Sequence, residues 1–185
     1  MMTTASTVFS VVTTPLLTKL LLGALVPVDA TAMLLSTVQL VLAPVLLGAA
    51  VNQWAPGFVS RARLYTPCLA TALVALIVGS MTATNSAVVA ASGWDIAAAV
   101  LTLHGAGFAL GYGVSKALGL SDKVARTNCI EVGMQSSALA AVLARTHFPN
   151  EPMIVAPCVI SACAHALVGS FLAGWWNLTV KDEDA

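Results

Sequence analysis

The stretch RTNCIEVGMQSSALAAVLARTHF, residues 126–148, has the length of a bilayer-crossing helix and carries Glu131 within it. A spanning helix needs about 20 mostly apolar residues. A carboxylate at the bilayer centre costs at least ~2.5–3.5 kcal/mol, so it turns toward protein and needs a partner. Asn128, Gln135, Ser136 and Ser137 lie close by in the chain. No other charged residue sits at comparable depth except Lys19, in the first apolar stretch. A proton or a bound cation must then balance Glu131, unless Lys19 or a further segment does. In a continuous helix Glu131 and Gln135 are i and i+4, and both oxygens project from one face. Gly133 between them permits local unwinding. Interrupted helices of secondary transporters expose carbonyls at the midplane to sodium or protons. Such irregular backbone is tolerated where it lines a cavity. Carboxylate, amide and carbonyl oxygens together suit a hard cation. Two readings stand at this point: an ion site on a discontinuous helix, or a protonated glutamic acid hydrogen-bonded inside a helix bundle.

The surrounding composition sets the class. Of 185 residues, 58% are hydrophobic and 9% charged. Soluble domains average about 45–50% apolar and about 25% charged. The expectation is an all-α membrane protein with about six transmembrane helices, one of them discontinuous, forming a single transmembrane domain over residues 1–185. The spans fall near residues 5–26, 31–52, 67–91, 95–117, 124–147 and 152–178. The segment NQWAPGFVSRARLYTP, residues 52–67, reads as the connection between the second and third. Trp54, Trp94, Trp175 and Trp176 lie near span ends, where amphipathic rings prefer to sit. Arg61, Arg63, Lys116, Lys123, Arg126 and Lys181 fall on one side of the membrane, against Arg145 on the other. That bias places both termini in the cytoplasm or its topological equivalent. With zero net charge, nothing suggests nucleic acid as a partner, and none is expected. Cys68, Cys129, Cys158 and Cys163 are irregularly spaced in or beside apolar runs and read as packing residues. MMTTAST, residues 1–7, has no positively charged stretch and does not read as a secretory signal. No paired carboxylates, zinc spacing or nucleophile elbow argues for an enzyme.

Three polar features remain. His104, in LTLHGAGFALGYG, reads as a hydrogen-bonded core histidine. Gly105, Gly107, Gly111 and Gly113 offer small faces for close helix packing. Hydroxyls crowd the first span, with Thr3, Thr4, Ser6 and Thr7 together.

IEVGMQSSALAAVLARTHF, residues 130–148, resembles the signature of the bile acid:sodium symporter family, whose pattern runs near I-E-V-G-M-Q-N-S-G-L-A. MTTASTVFSVVTTPLLTKLLLG, residues 2–23, resembles that family's fifth helix, most closely in the plastid-type organic-anion members. LHGAGFALGYGVSKALGLS, residues 103–121, is similar to its eighth helix and following loop. The resemblance implies a ten-helix transporter of two inverted repeats, with this chain as the last helix of repeat one plus repeat two. The chain would then be incomplete at its N-terminus, with a missing N-terminal half or another subunit completing the ion sites. It implies sodium as coupling ion, with Glu131 bridging two sites, carbonyls from Val132 and Met134, the Gln135 side-chain oxygen and the Thr3 hydroxyl. Substrate would meet Ser136, His165 and Ala166; the family usually has asparagine where Ser136 and Ala166 stand. The implied activity is alternating-access symport of small organic anions, such as pyruvate, pantoate or other 2-oxo acids, or bile-acid-like anions. Proton coupling and a non-transporting membrane interaction protein are the alternatives. The partners are the lipid bilayer and the anion. The location would be the plastid inner envelope in a photosynthetic eukaryote, otherwise the plasma membrane.

Overall fold

A computed structural model describes residues 2–179, with the side chains of residues 2–4 and of Pro152 outside that description. It is helical throughout, with no strand among the described residues. The helices are α1 (Met2–Leu22), α2 (Ala30–Thr37), α3 (Ala43–Trp54), α4 (Pro56–Thr84), α5 (Ser86–Ala91), α6 (Gly93–Ala117), α7 (Asp122–Gly133), α8 (Ser137–His147) and α9 (Val155–Thr179). Among the described residues five helical segments are long and apolar enough to cross a membrane: Ala5–Leu22, Ala30–Trp54, Pro56–Thr84, Gly93–Ala117 and Val155–Thr179. The sixth expected span, 124–147, is divided between α7 and α8, as the glycine-flanked carboxylate predicts. The chain is thus an all-α, multi-pass membrane protein.

Two expectations are corrected. The connection foreseen at residues 52–67 is a break at Ala55 alone, which adopts φ −134° and ψ 57°. Pro56 then opens α4, because proline at the first position gives up an N–H that has no helical partner anyway. At 29 residues α4 runs to ~44 Å, longer than a ~30 Å hydrocarbon layer. That excess length lets Arg61 and Arg63, in its early turns, lie outside the hydrocarbon layer. The second span is not a uniform α-helix either. Val38–Leu42 forms a π-helical turn between α2 and α3. Pro44, at the start of α3, cannot donate to the turn before it, which loosens the ladder there.

Contacts group the described residues into two units, one of residues up to 75 together with 145–149, the other of residues 76–144 together with 150 onward. In the first, α1 packs on α2 and the π-helical turn. On these two helices the buried residues are i, i+4 pairs, Val11 with Pro15 on α1 and Met33 with Thr37 on α2. Asp29 caps α2, accepting from the backbone N–H of Thr31 and of Ala32 at 3.0 Å each. Hydroxyls along the helices turn back onto their own backbone. Thr13 donates to the Phe9 carbonyl, Thr18 to Thr14, Thr66 to Ala62 and Thr71 to Pro67.

In the second unit α6 is the central element, packing on α7 and α9. Its buried residues Val100, His104, Phe108, Gly111 and Ser115 make one stripe at three- and four-residue spacing. A Schellman turn ends α6: Gly119, at φ +74°, donates to the Lys116 carbonyl, and Leu120 donates to that of Ser115. Ser121 then caps α7 through the Val124 N–H. This tight reversal lays α7 along α6. The helices touch backbone to backbone. A Cβ on Gly107 would lie 3.1 Å from the Val132 carbonyl oxygen, and one on Gly111 2.6 Å from that of Asn128. Gly105 and Gly113 face open space, so two of the four glycines serve the close packing foreseen. Ala141 and Ala144 of α8 join Val155 and Val159 of α9 in an apolar cluster, with Met81, Val89, Ile154 and Cys158 against it.

Candidate functional site

The site forms where α7 stops and α8 starts. α7 ends at Gly133, Met134 turns extended (φ −88°, ψ 125°), and α8 begins at Ser137. Two features of the sequence make the break. Gly133 has no side chain, and a Cβ there would overlap the Phe108 ring of α6. Met134 then lays its sulfur over Gly169 of α9, where a Cβ would meet the sulfur at 2.9 Å.

A helix end leaves carbonyls without intrahelical partners and carries a partial negative charge of roughly half an electron. Here those carbonyls are partly engaged. Met134 N–H donates to Ile130, closing the last turn. The Gln135 side-chain amide donates to the Val132 carbonyl at 2.9 Å. Gly133 carbonyl oxygen lies 2.9 Å from His104 Nδ1. Glu131, half-buried in the last turn of α7, has neither hydrogen-bond nor ion-pair partner among the described residues. The break therefore gathers an unpartnered carboxylate and a negative helix end within one turn.

The expected geometry of Gln135 is corrected. It is not a helical i+4 neighbour of Glu131, because the helix has already ended at Gly133. Its amide nitrogen instead folds back onto Val132, which leaves its side-chain oxygen unused by that bond. Val132, Met134, Gln135 and Ser136 are all solvent- or lipid-accessible at the break. Thr3, the remaining candidate ion ligand, lies with its side chain outside the described residues.

His165 and Ala166 of α9 part company. Ala166 is exposed, whereas His165 is 9% exposed. Its ring packs edge-on to His104, centroids 5.1 Å apart at 60°. Neither ring nitrogen of His165 has a protein partner among the described residues. His104 is the hydrogen-bonded core histidine that its setting predicts, 2% exposed, with Nε2 2.6 Å from Ser161 Oγ. Ser161 Oγ in turn lies 2.6 Å from Ser137 Oγ, on the first residue of α8. Ser161 was not singled out from the sequence. A serine four residues before His165 in an apolar helix was the available signal. Nearer the membrane surface, Asn128 donates to Ser115 Oγ at 2.9 Å, and Ser115 donates to the Gly111 carbonyl. At the loop, Lys116 Nζ pairs with Asp122 at 2.7 Å. The Lys116 ammonium, by hydrogen bond first and by charge second, holds the Asp122 carboxyl below the usual carboxylate range.

Comparison with known proteins supplies the lineage. The Sodium Bile acid symporter family model matches residues 1–92. The probable sodium/metabolite cotransporter BASS1, chloroplastic, of Oryza sativa subsp. japonica is 44% identical over 177 residues, covering 96% of this chain and 43% of that protein. BASS2 of the same organism is 43% identical over 187 residues, covering 100% and 44%. The uncharacterized sodium-dependent transporter YocS of Bacillus subtilis is 33% identical over 183 residues, covering 99% and 56%. The chain thus spans less than half the length of these plant relatives. All three carry transporter names, and the likeness to them extends over the broken-helix motif that the family model's match does not reach. With that motif at the α7–α8 break and an all-α membrane fold, the chain is similar in its first half to the sodium bile acid symporter family model and along its length to the sodium/metabolite cotransporters.

Proposed function

We propose that the protein works in sodium-coupled transport of small organic anions, with the α7–α8 break as its sodium site. One observation carries the reading: the helix is interrupted directly after a half-buried carboxylate without a partner among the described residues. A monovalent hard cation answers both the Glu131 charge and the negative end of α7. Glu131 supplies the charged oxygen. The Val132 carbonyl has a second lone pair beyond the one Gln135 uses, and the Met134 carbonyl and the Gln135 side-chain oxygen add neutral donors. Thr3 is the further proposed ligand. Ser136, His165 and Ala166 would meet the anion, and the unpartnered ring of His165 is the group best suited to donate to it. Small carboxylates, such as pyruvate and other 2-oxo acids or the 2-hydroxy acid pantoate, fit this reading better than bulky steroidal anions. Sodium in the break would order its irregular backbone, so anion binding follows sodium binding and both are carried down the sodium gradient. The chloroplast relatives support the plastid inner envelope as the location.

The test is uptake of labelled 2-oxo acids into proteoliposomes. Wild-type protein accumulates the anion under an inward sodium gradient and not under potassium. Glu131→Gln abolishes this; unchanged uptake in the variant overturns the ion-site assignment. Uptake driven by a pH gradient without sodium identifies Glu131 as a proton carrier instead.

A further inference from the structure

We propose that His104 is a positioning residue for the broken helix: through Ser161 and Ser137 it ties the last residue of α7 to the first residue of α8, and so tunes how tightly the break holds its ion. Its effect on ion affinity rests on the sodium reading above. The tie itself stands on the hydrogen bonds alone.

The direction of every bond follows from the Gly133 acceptor once the His104 ring is taken as neutral. The Gly133 carbonyl can only accept, so His104 carries its proton on Nδ1 and donates at 2.9 Å. In the neutral ring Nε2 then accepts, so Ser161 donates to it at 2.6 Å. Ser161, having given its proton there, accepts from Ser137 at 2.6 Å. The relay runs one way, from Ser137 through Ser161 and His104 to Gly133, across α8, α9, α6 and α7. His104, Ser137 and Ser161 are all buried, so water does not compete for these bonds. A histidine that merely filled the core would be satisfied by any neighbour. This one ends its chain of bonds on both lips of the interruption.

The position of those lips matters electrostatically. The end of α7 attracts a cation and the start of α8 repels one, each with roughly half a charge. Moving one lip relative to the other changes the field where the ion sits. Phe108, one turn from His104, abuts Gly133, and Gly107 abuts Val132 and Gly133. The same face of α6 therefore supports the break by packing as well as by hydrogen bonding.

The experiment uses Ser161→Ala, which removes the middle of the relay and little volume, with Ser161→Thr as the conservative control. Two readouts are taken on the reconstituted protein. Hydrogen exchange of the peptide covering Gly133–Ser137 reports the tie, and the sodium concentration for half-maximal uptake reports its effect on the ion. Ser161→Ala is expected to speed exchange in that peptide by about tenfold or more, while the far end of α6 stays unchanged. It is also expected to raise half-saturating sodium by roughly five- to tenfold, with the maximal rate retained. Ser161→Thr returns both toward wild type. His104→Asn keeps a donor for Gly133 but loses reach to Ser161, so it matches Ser161→Ala, and the double variant adds little. Unchanged exchange in Ser161→Ala overturns the tie. Faster exchange with half-saturating sodium unmoved overturns the effect on the ion. A wild-type protein without sodium dependence removes the sodium reading and overturns that effect with it, while the exchange data alone decide the tie.

Discussion

Gly111→Ala is the sharpest perturbation of the α6–α7 contact. The new methyl would sit 2.6 Å from the Asn128 carbonyl oxygen and 3.0 Å from Cys129 Cα. Both obstacles are backbone, so no side chain can swing aside. Relief requires the two helices to part by ~0.8 Å before ordinary contact is restored. That displacement stretches the Asn128–Ser115 bond from 2.9 Å. At ~3.7 Å it no longer counts as a hydrogen bond. Overpacking of this kind costs about 1–3 kcal/mol. An interhelical hydrogen bond within a membrane adds about 0.6 kcal/mol. Alanine also gains about 1 kcal/mol of helix propensity over glycine, which would mask part of the loss. Gly113→Ala removes that confusion, because it takes the same propensity gain in open space on the same helix. The difference between the two variants is then the contact alone, about 1.6–3.6 kcal/mol. In a chain of this size that separates their melting temperatures by roughly 3–14 °C. The assay is tryptophan-fluorescence melting of both variants in the same detergent. If Gly111→Ala melts within about 1 °C of Gly113→Ala, the helices are not in backbone contact and the reasoning fails.

Two further outcomes follow from the same unit. Gly133→Ala drives a methyl into the Phe108 ring, so it lowers thermal stability by about 1–3 kcal/mol; adding Phe108→Leu should recover part of that in the same melting assay. The Lys116–Asp122 pair makes a pH-dependent contribution, because Asp122 titrates below its ordinary value when folded. The sign is that of a depressed carboxylate: the contribution is complete above the ordinary range and fades as pH falls through the lowered value. The melting difference between wild type and Asp122→Asn should therefore be constant near neutrality and shrink as pH drops below about 4.

Much of this was legible because lipid makes polar residues conspicuous. Glu131 next to Gly133, in a run long enough to span, announces an interruption, and the helix stops at that glycine. What pattern could not give was the consequence for its neighbour. Spacing of four puts Gln135 beside Glu131 only while the helix continues, and the break that makes the site interesting also cancels that relation. The glycines of α6 show a related limit. Composition says that close packing occurs; choosing Gly107 and Gly111 over Gly105 and Gly113 needs the partner helix. The reading of residues 52–67 as a loop failed because proline both ends and begins helices, and Pro56 begins one. His104 was recognisable as a bonded histidine, but Ser161 lies 57 residues away and nothing local links them.

The threonines alter how the surface of such a chain should be counted. In α1 and α4 the hydroxyls of Thr13, Thr18, Thr66 and Thr71 are all folded onto a carbonyl one turn back. What each then shows its surroundings is a methyl group. To an acyl chain, a threonine in that posture is a slightly misshapen valine. Hydropathy values, which score the free hydroxyl, make these helices look wetter than they are. The same residues keep a latent capacity, since a hydroxyl released from its carbonyl by a passing water or ion is polar again. A helix rich in them offers oil or oxygen on demand, without a change of sequence or of fold.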